Sequence, residues 1–247
     1  MILEILRAEG SVSVSAVEEA FGVSPMTARR DLAILAENGY ARRTHGGAVL
    51  PELAGHEDSF QSRLEQGVDV KIRLARAVIE TMNPHETVFV DSSSTAYYIV
   101  REIVEAGMPI TLLTNSLPVM TIVGSADVPN VEMIGLGGTF RKLTRSYVGA
   151  ETIQMVQRFF VDRVLFSVKG IESDGSLTDP DPLEAEVKRA MIGRARTVQF
   201  VADSHKFDEH GLNVVVGAGA VNAAYLAGPP SAGQKLFRDA GAEVHTV

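Results

Sequence analysis

The 247-residue chain contains no cysteine and no tryptophan. Without cysteine it has no disulfide, no thiolate zinc site and no cysteine nucleophile. Its histidines are scattered and lack the spacing of metal ligands, so we expect neither a metal nor another cofactor. They are His45, His56, His85, His205, His210 and His245.

Positive charge and long apolar runs are also scarce. Lys and Arg number 23 against 31 Asp and Glu, which gives a formal net charge of −8. This balance excludes a uniformly basic, histone-like binder and a polybasic membrane-surface protein. No apolar run approaches the length that spans a bilayer, and the start of the chain lacks the layout of a signal peptide. We therefore expect a cytoplasmic protein with no membrane partner, built from one minor and one major domain.

Residues 1–50 are predicted to form a winged helix-turn-helix domain. Three short helices follow one another, and a turn containing Gly22 separates the second from the third. The third helix has Ser24 as its N-cap and Pro25 at its first position. The segment that follows suits a small β-hairpin, or wing, with Gly46-Gly47 at its turn.

The arginines of this domain are concentrated in one part of it. Residues 1–50 carry five arginines against six acidic residues, but four of the five arginines fall within residues 29–43. The acidic residues gather on the first two helices. A small domain that binds duplex DNA needs its basic residues gathered where they can face the phosphates. The distribution of arginines therefore favours DNA binding over a plain three-helix packing unit.

The rest of the chain is predicted to be a linker and a mostly parallel α/β domain. Residues 51–68 are mixed and polar, which is typical of a linker, and residues 69–247 alternate apolar strands with helices. The candidate strands are Thr87–Val90, Ile110–Leu113, Val131–Ile134, Val164–Val168, Val198–Ala202 and Val214–Val216.

Polar residues follow five of these strands, where ligands bind in open α/β sheets. Hydroxyls and free backbone N–H groups at helix N-termini, with one or two lysines, suit a phosphate or another anion. Taken singly, each residue also fits a helix cap, a turn or a solvated side chain, and their joint placement favours a pocket. The groups are Asp91-Ser92-Ser93-Ser94-Thr95, Thr114-Asn115-Ser116, Gly135-Leu136-Gly137-Gly138-Thr139, Lys169-Gly170 and Asp203-Ser204-His205-Lys206.

The same pocket is also compatible with an alternative function, that of an enzyme acting on a sugar phosphate. Asp91, Glu151, Asp203, Lys169 and Lys206 could supply acid–base groups for isomerisation of a sugar phosphate. The sequence shows no pair of these groups held at working distance. Turnover assays against pentose and hexose phosphates distinguish the enzyme from a binding protein.

Two groups of motifs cover nearly the whole chain and resemble those of the DeoR family of transcriptional regulators. The N-terminal group resembles the family's winged-helix signature, and the second group resembles its effector domain, a relative of the ribose-5-phosphate isomerase and coenzyme A-transferase sheet. The first group is Gly10-Ser-Val-Ser-Val, Phe21-Gly-Val-Ser24, Thr27-x-Arg29-Arg30-Asp31-Leu32 and Arg43-Thr-His45-Gly46-Gly47-Ala48. The second is Asp91-x-Ser93-Ser94-Thr95, Thr114-Asn115-Ser116, Gly137-Gly138-x-x-Arg141, Gly175-x-Leu177-Thr178, Lys188-x-x-Met191-Ile192 and Ala202-Asp203-Ser204-x-Lys206-Phe207.

The resemblance implies a regulator rather than an enzyme. Such proteins usually repress genes of sugar uptake and catabolism, bind double-stranded operator DNA as dimers or larger homo-oligomers, and respond to a sugar phosphate or related anionic metabolite. The expected DNA-binding residues are Ser24, Met26, Thr27, Arg29, Arg30, Arg42, Arg43 and His45. The expected effector-binding residues are Asp91, Ser92, Ser93, Ser94, Thr95, Thr114, Asn115, Ser116, Gly137, Gly138, Arg141, Lys169, Asp203 and Lys206.

The chain departs from the family pattern at three places. The family's first helix normally begins several residues ahead of Ile2, which leaves open whether the chain is truncated. Ser93 replaces a glycine of the family's ligand loop, so the backbone is expected to approach the ligand less closely. Lys169 stands where the family commonly has a small residue, which leaves the class of ligand open.

Overall fold

The computed structural model describes residues 2–9, 11–38, 40–43, 46–49, 58–228 and 232–247. The chain divides into two compact units, Met1–Gln66 and Gly67–Val247. Across these described ranges, no helix is both long enough and apolar enough to cross a membrane.

The first unit is a helical domain with a small antiparallel sheet. Its three strands have the order β1-β3-β2, so the segment before the second helix pairs with the wing. Its elements are α1 (Ile2–Glu9), β1 (Ser11–Ser13), α2 (Val14–Phe21), α3 (Pro25–Glu37), β2 (Arg42–Arg43), β3 (Gly47–Val49) and α4 (Phe60–Glu65).

Local capping defines the helix-turn-helix of this unit. The Ser13 hydroxyl accepts a hydrogen bond from the Ala16 amide at the start of α2. Helix α2 ends at Gly22, whose φ of 63° lies in the left-handed region that glycine adopts without strain. Ser24 then caps α3 with Pro25 in its first turn, as the sequence predicts. These local caps determine the turn between the two helices, and the residues that form them can be recognised in the sequence.

The described part of the second unit forms two sheets and a hairpin. Its strands are β4 (Thr87–Val90), β5 (Ile110–Thr114), β6 (Val131–Gly135), β7 (Thr139–Arg141), β8 (Ser146–Val148), β9 (Val161–Phe166), β10 (Gly170–Ile171), β11 (Ser176–Asp179), β12 (Ala195–Asp203), β13 (Asn213–Gly217), β14 (Ala223–Ala227) and β15 (Glu243–Thr246). Its α-helices are α5 (Val68–Ile79), α6 (Ser94–Glu105), α7 (Leu117–Ser125), α8 (Ala150–Gln157), α9 (Pro182–Ile192) and α10 (Ala232–Asp239).

The large sheet has seven strands in the order β15-β14-β12-β9-β4-β5-β6, and every neighbouring pair is parallel. The chain enters at β4, moves outward through β5 and β6, and returns to the other side of β4 at β9. The direction of travel thus reverses between β4 and β9. Such a switch point opens a crevice at the carboxyl ends of the strands, where ligands bind in this architecture.

Five of the six predicted strands belong to this large parallel sheet, which confirms the predicted fold class. The sixth, predicted at Val214–Val216, lies in β13, which pairs with β11 in a separate three-stranded antiparallel sheet, β10-β11-β13. Its placement in the parallel series was therefore wrong. The apolar pattern predicts a strand correctly, but it does not say which partner that strand selects.

Candidate functional site

Helix α3 presents an exposed face that carries the predicted recognition residues. Ala28 and Leu32 are fully buried, whereas Met26 is 80% exposed. The Ser24 hydroxyl caps the Thr27 amide at 3.2 Å and lies 3.0 Å from the Thr27 hydroxyl. The residues exposed on this side are Ser24, Met26, Thr27, Arg29 and Arg30.

The wing arginines lie on a strand next to this helix in the chain. Arg42 pairs with Val49 and Arg43 with Ala48 in the antiparallel β2–β3 ladder. His45, also predicted to contact DNA, lies outside the described residues. A helix with an exposed, arginine-bearing face and a two-stranded wing is an arrangement that DNA-binding domains use.

The polar residues after β4 and β5 come together at the switch point of the large sheet. Val90 and Thr114 are neighbours in the β4–β5 ladder, so Asp91 and Asn115 leave adjacent strands at the same level. All eight predicted residues of these two loops are at most 5% exposed. They are Asp91, Ser92, Ser93, Ser94, Thr95, Thr114, Asn115 and Ser116.

Asp91 connects the β4 loop with the end of β9. Its Oδ1 accepts hydrogen bonds from the Ser93 amide at 3.0 Å and the Ser93 hydroxyl at 2.6 Å. Its Oδ2 accepts a bond from the Ser167 amide at 3.1 Å. The Ser93 hydroxyl in turn caps α6 at the Ala96 amide. Ser93, the departure from the family's glycine, therefore holds both the carboxylate and the start of the helix.

Lys188 of α9 lies beneath this loop as a buried ammonium between two carboxylates. Its Nζ is 2.6 Å from Asp179 Oδ2 and 3.3 Å from Asp91 Oδ2, and it donates to the Ser167 carbonyl at 2.6 Å. Burial lowers the pKa of Lys188, but the charges of Asp179 and Asp91 outweigh burial and raise the pKa above its usual value. Lys188 is therefore protonated and binds the ends of β4, β9 and β11 together.

Glu184, one helical turn before Lys188, bonds two serines from different segments. Its Oε2 accepts a hydrogen bond from the Ser92 hydroxyl at 2.8 Å, and its Oε1 accepts one from the Ser146 hydroxyl of β8. Ser146 also lies 2.8 Å from the Thr144 hydroxyl. Glu184 is only 4% exposed, so these hydroxyls replace the water that a carboxylate otherwise binds.

Two polar atoms of this region are buried without a hydrogen-bond partner among the described residues. They are Asn115 Oδ1 after β5 and Ser167 Oγ after β9. Because a buried polar group without a partner is costly, such atoms in a native fold need an explanation. They flank the β4 loop on its two sides. We call the group formed by Asp91–Thr95, Thr114–Ser116, Ser167, Asp179, Glu184 and Lys188 the strand-end site.

The glycines predicted to bind the effector pack against α8. The Gly137 carbonyl accepts a hydrogen bond from the Thr152 hydroxyl at 2.8 Å. Gly138 has a φ of 151°, and a Cβ on it would lie 2.1 Å from Thr152 Oγ1. This close contact with Thr152 is enough to explain the glycine at position 138, and a bound ligand is not needed for the explanation.

We expect Gly138→Ala to destabilise the second unit by about 1–3 kcal/mol, because the added methyl group meets Thr152 and the backbone is strained. Gly124→Ala is the control, since a Cβ there meets no atom within 4 Å and alanine favours the surrounding helix by up to about 1 kcal/mol. Urea unfolding followed by circular dichroism measures both. Unchanged stability in Gly138→Ala would contradict this interpretation of the glycine.

Arg141 and Lys169, which were also predicted to bind the effector, have partners of their own. Arg141 donates to the Thr144 hydroxyl at 3.4 Å and forms an ion pair with Asp181 at 3.1 Å. The Lys169 amide donates to Asp179 Oδ1, and its ammonium pairs with Glu209 at 2.9 Å.

The last two predicted residues follow β12. Asp203 caps the short 3-10 turn Ser204–Phe207 by accepting from the His205 amide. Lys206 lies within that turn and is partly buried.

The sequence prediction missed five residues of the network: Ser146, Ser167, Asp179, Glu184 and Lys188. A usable signal was present in α9. Glu184 and Lys188 share the apolar face of this helix with Ala185 and Met191, all of them buried. Charged residues on an apolar stripe must be paired when buried, so their position indicates an internal polar network.

A helix-turn-helix unit joined to an α/β unit with a buried polar site defines a DNA-binding regulator with a sensor domain. Comparison with known families agrees with this class. The model of the DeoR-like helix-turn-helix domain matches residues 1–53, and that of the DeoR C terminal sensor domain matches residues 66–224. The chain belongs to the DeoR family of transcriptional regulators.

Similar proteins include regulators of known operons. The glycerol-3-phosphate regulon repressor of Escherichia coli (strain K12) is 34% identical over 233 residues, which cover 93% of this chain and 89% of the relative. The L-fucose operon activator of the same strain is 29% identical over 212 residues, covering 85% and 86%. Ribose 5-phosphate isomerase A from Methanocaldococcus jannaschii aligns with a TM-score of 0.42 at 13% identity, covering 57% of this chain and 55% of that one.

Proposed function

We propose that the chain is a cytoplasmic, homo-oligomeric repressor of carbohydrate-metabolism genes. Its first unit binds double-stranded operator DNA through the exposed face of α3 and the wing. Its second unit binds a phosphorylated sugar or related anionic metabolite at the strand-end site, and this effector weakens operator binding.

The effector proposal rests on Asn115 Oδ1 and Ser167 Oγ, which are buried and have no hydrogen-bond partner in the described part of the chain. They follow β5 and β9, which lie on either side of β4, so with about 4.8 Å between neighbouring strands these two strands are about 10 Å apart. A ligand with several hydroxyl groups can donate to Asn115 and also bond Ser167 across this distance. Binding would thereby satisfy two buried atoms that the described residues leave without partners.

The charges of the site indicate where each end of the proposed ligand binds. The strand-end site holds the carboxylates of Asp91, Asp179 and Glu184 against the single ammonium of Lys188. Because this interior is acid-rich, we assign the hydroxyl-bearing end of the ligand to it. The anionic group is assigned to the N-terminus of α6, whose dipole favours negative charge, with Lys206 as its cation. The name of the glycerol-3-phosphate regulon repressor supports a ligand with both kinds of group.

Calorimetry with matched sugars and sugar phosphates tests this assignment. We expect the wild-type protein to prefer the phosphorylated partner. Lys206→Ala should lose most of that preference, since a charge-assisted hydrogen bond contributes about 1.5–3 kcal/mol. Lys169→Ala is the matched control, because the Lys169 ammonium already pairs with Glu209. Equal binding of the unphosphorylated sugar by wild type, or an unchanged preference in Lys206→Ala, would exclude the anion site.

We further propose that the protein does not turn the sugar phosphate over. Three of the candidate acid–base groups already have partners: Asp91 accepts from Ser93 and Ser167, Asp203 accepts from the His205 amide, and Lys169 pairs with Glu209. We expect no conversion of ribose 5-phosphate or hexose phosphates by the purified protein. A saturable, protein-dependent rate that Asp91→Asn abolishes would instead establish an enzyme.

A further inference from the structure

The β7–β8 hairpin is attached to the strand-end site through its inner face. Ser146 donates to Glu184, and Arg141 pairs with Asp181 at the start of α9. The other face of the hairpin carries Phe140, which is 42% exposed, and the tilted ring pair that Phe140 forms with Tyr147 at 5.4 Å. The hairpin therefore joins a buried polar site to a surface of aromatic character.

Asn115 supplies a second attachment. Its side-chain Nδ2 donates to the Tyr147 carbonyl at 2.9 Å, and its backbone carbonyl accepts from the Tyr147 amide at 2.8 Å. The next segment adds a bond from the Leu117 amide to the Arg145 carbonyl at 2.9 Å. Asn115 thus holds β8 with one end of its amide, while the other end, Oδ1, is buried and has no partner among the residues that the structure describes.

From these contacts we propose that Glu184 selects the effector by exchanging hydroxyl partners. A hydroxyl group of the ligand replaces the Ser146 hydroxyl on Glu184 Oε1, and the lost bond releases β8 from the site. Through this exchange, ligand binding changes the position of the hairpin and of its outer face. This inference rests on the proposed function, because it requires an effector at the strand-end site.

The chemistry of Glu184 determines which ligand groups can make the exchange. A buried carboxylate accepts hydrogen bonds and repels another carboxylate, so it selects a hydroxyl and rejects an acid at this position. Ser92 bonds the second oxygen, so a ligand hydroxyl competes with the Ser146 hydroxyl for Oε1. The residues of the site are almost fully buried, so a ligand needs the space that movement of β8 provides.

Binding measurements test the exchange, because it predicts tighter ligand binding when Ser146 is removed. A serine with a purely structural role would not give this result. The probes are glycerol 3-phosphate and ribose 5-phosphate, titrated into the full chain. Ser146→Ala removes the competing hydroxyl, so we expect it to bind the probe about tenfold more tightly than wild type, equivalent to ~1.4 kcal/mol. Glu184→Gln should bind about tenfold more weakly. Thr121→Ala is the control, since the Thr121 hydroxyl bonds the Leu117 carbonyl within α7 and does not reach Glu184.

Hydrogen exchange of the same proteins decides whether β8 moves. Without ligand, Ser146→Ala and Glu184→Gln should raise the exchange rate of the Tyr147 and Leu117 amides at least about tenfold, with Thr121→Ala unchanged. In wild type, the bound probe should raise exchange at the same two amides while it protects the β4 loop. Unchanged rates in both variants, or weaker probe binding by Ser146→Ala, would overturn the inference.

The outcomes separate this inference from the proposed function. If neither probe binds wild type, the result counts against the proposed effector class, and the ligand-free exchange rates still decide whether Glu184 and Ser146 hold β8. If a probe binds and the Tyr147 and Leu117 amides keep their rates, the effector site stands and the exchange at Glu184 is wrong.

Discussion

Lys188→Met is expected to destabilise the second unit by about 3–5 kcal/mol. The substitution leaves the Asp91 and Asp179 carboxylates buried without the ammonium that lies 3.3 and 2.6 Å from them. Breaking a buried ion pair by removing one partner has a cost of this size, because the remaining charge cannot return to water. Urea unfolding monitored by circular dichroism measures the loss.

Two further variants identify the cause of that loss. Lys169→Met removes a lysine whose partner, Glu209, is 44% exposed, so we expect about 1 kcal/mol or less. Lys188→Met combined with Asp179→Asn removes one of the stranded charges and should recover part of the stability. A loss in Lys188→Met no larger than that in Lys169→Met would show that the ammonium is not what stabilises the strand ends.

The second large effect is expected at the DNA-binding helix. Replacing Arg29 and Arg30 together by alanine should weaken operator binding at least tenfold. Each bidentate base contact contributes about 1–3 kcal/mol, and each phosphate contact contributes about one unit of the slope of log affinity against log salt. A duplex selected from random sequence serves as the operator, and fluorescence anisotropy at several salt concentrations gives both quantities.

Arg73→Ala combined with Arg76→Ala is the matched control for charge. Both arginines are exposed on α5 of the second unit, and Arg76 pairs with Glu102. This variant should keep the affinity and the salt slope of wild type. If the Arg29 and Arg30 double variant folds and also keeps both, the face of α3 is not the DNA-binding surface.

Local sequence signals predict the first unit and the centre of the large sheet well. The caps at Ser24 and Gly22 involve side-chain and backbone geometry within a few residues, so they are visible in the sequence. The strand β4 has the buried apolar run, Val88 to Val90, expected of a parallel strand covered on both faces. Strand β14 escaped prediction because three of its five residues are alanine, which strands disfavour, and only burial between β12 and β15 explains it.

The candidate site was predictable where it follows strands and not where it depends on distant pairing. The loops Asp91–Thr95 and Thr114–Ser116 come directly after strands, and the sheet brings them together. The partners of Glu184 are 92 and 38 residues away in the chain, at Ser92 and Ser146. Such pairings follow from the order of strands, which hydrophobic periodicity does not encode.

The position of Lys188 also has a consequence for how the second unit folds. The central strand β4 pairs with β9, and the Lys188 ammonium reaches Asp91 only when α9 lies across the completed centre of the sheet. Contacts between such distant segments form slowly, since the chain loses the entropy of closing long loops before the stabilising contacts form. A chain interrupted before α9 therefore holds the β4 and β5 loops without the residues that tie them together. The strand-end site is therefore complete only after α9 has packed onto the sheet.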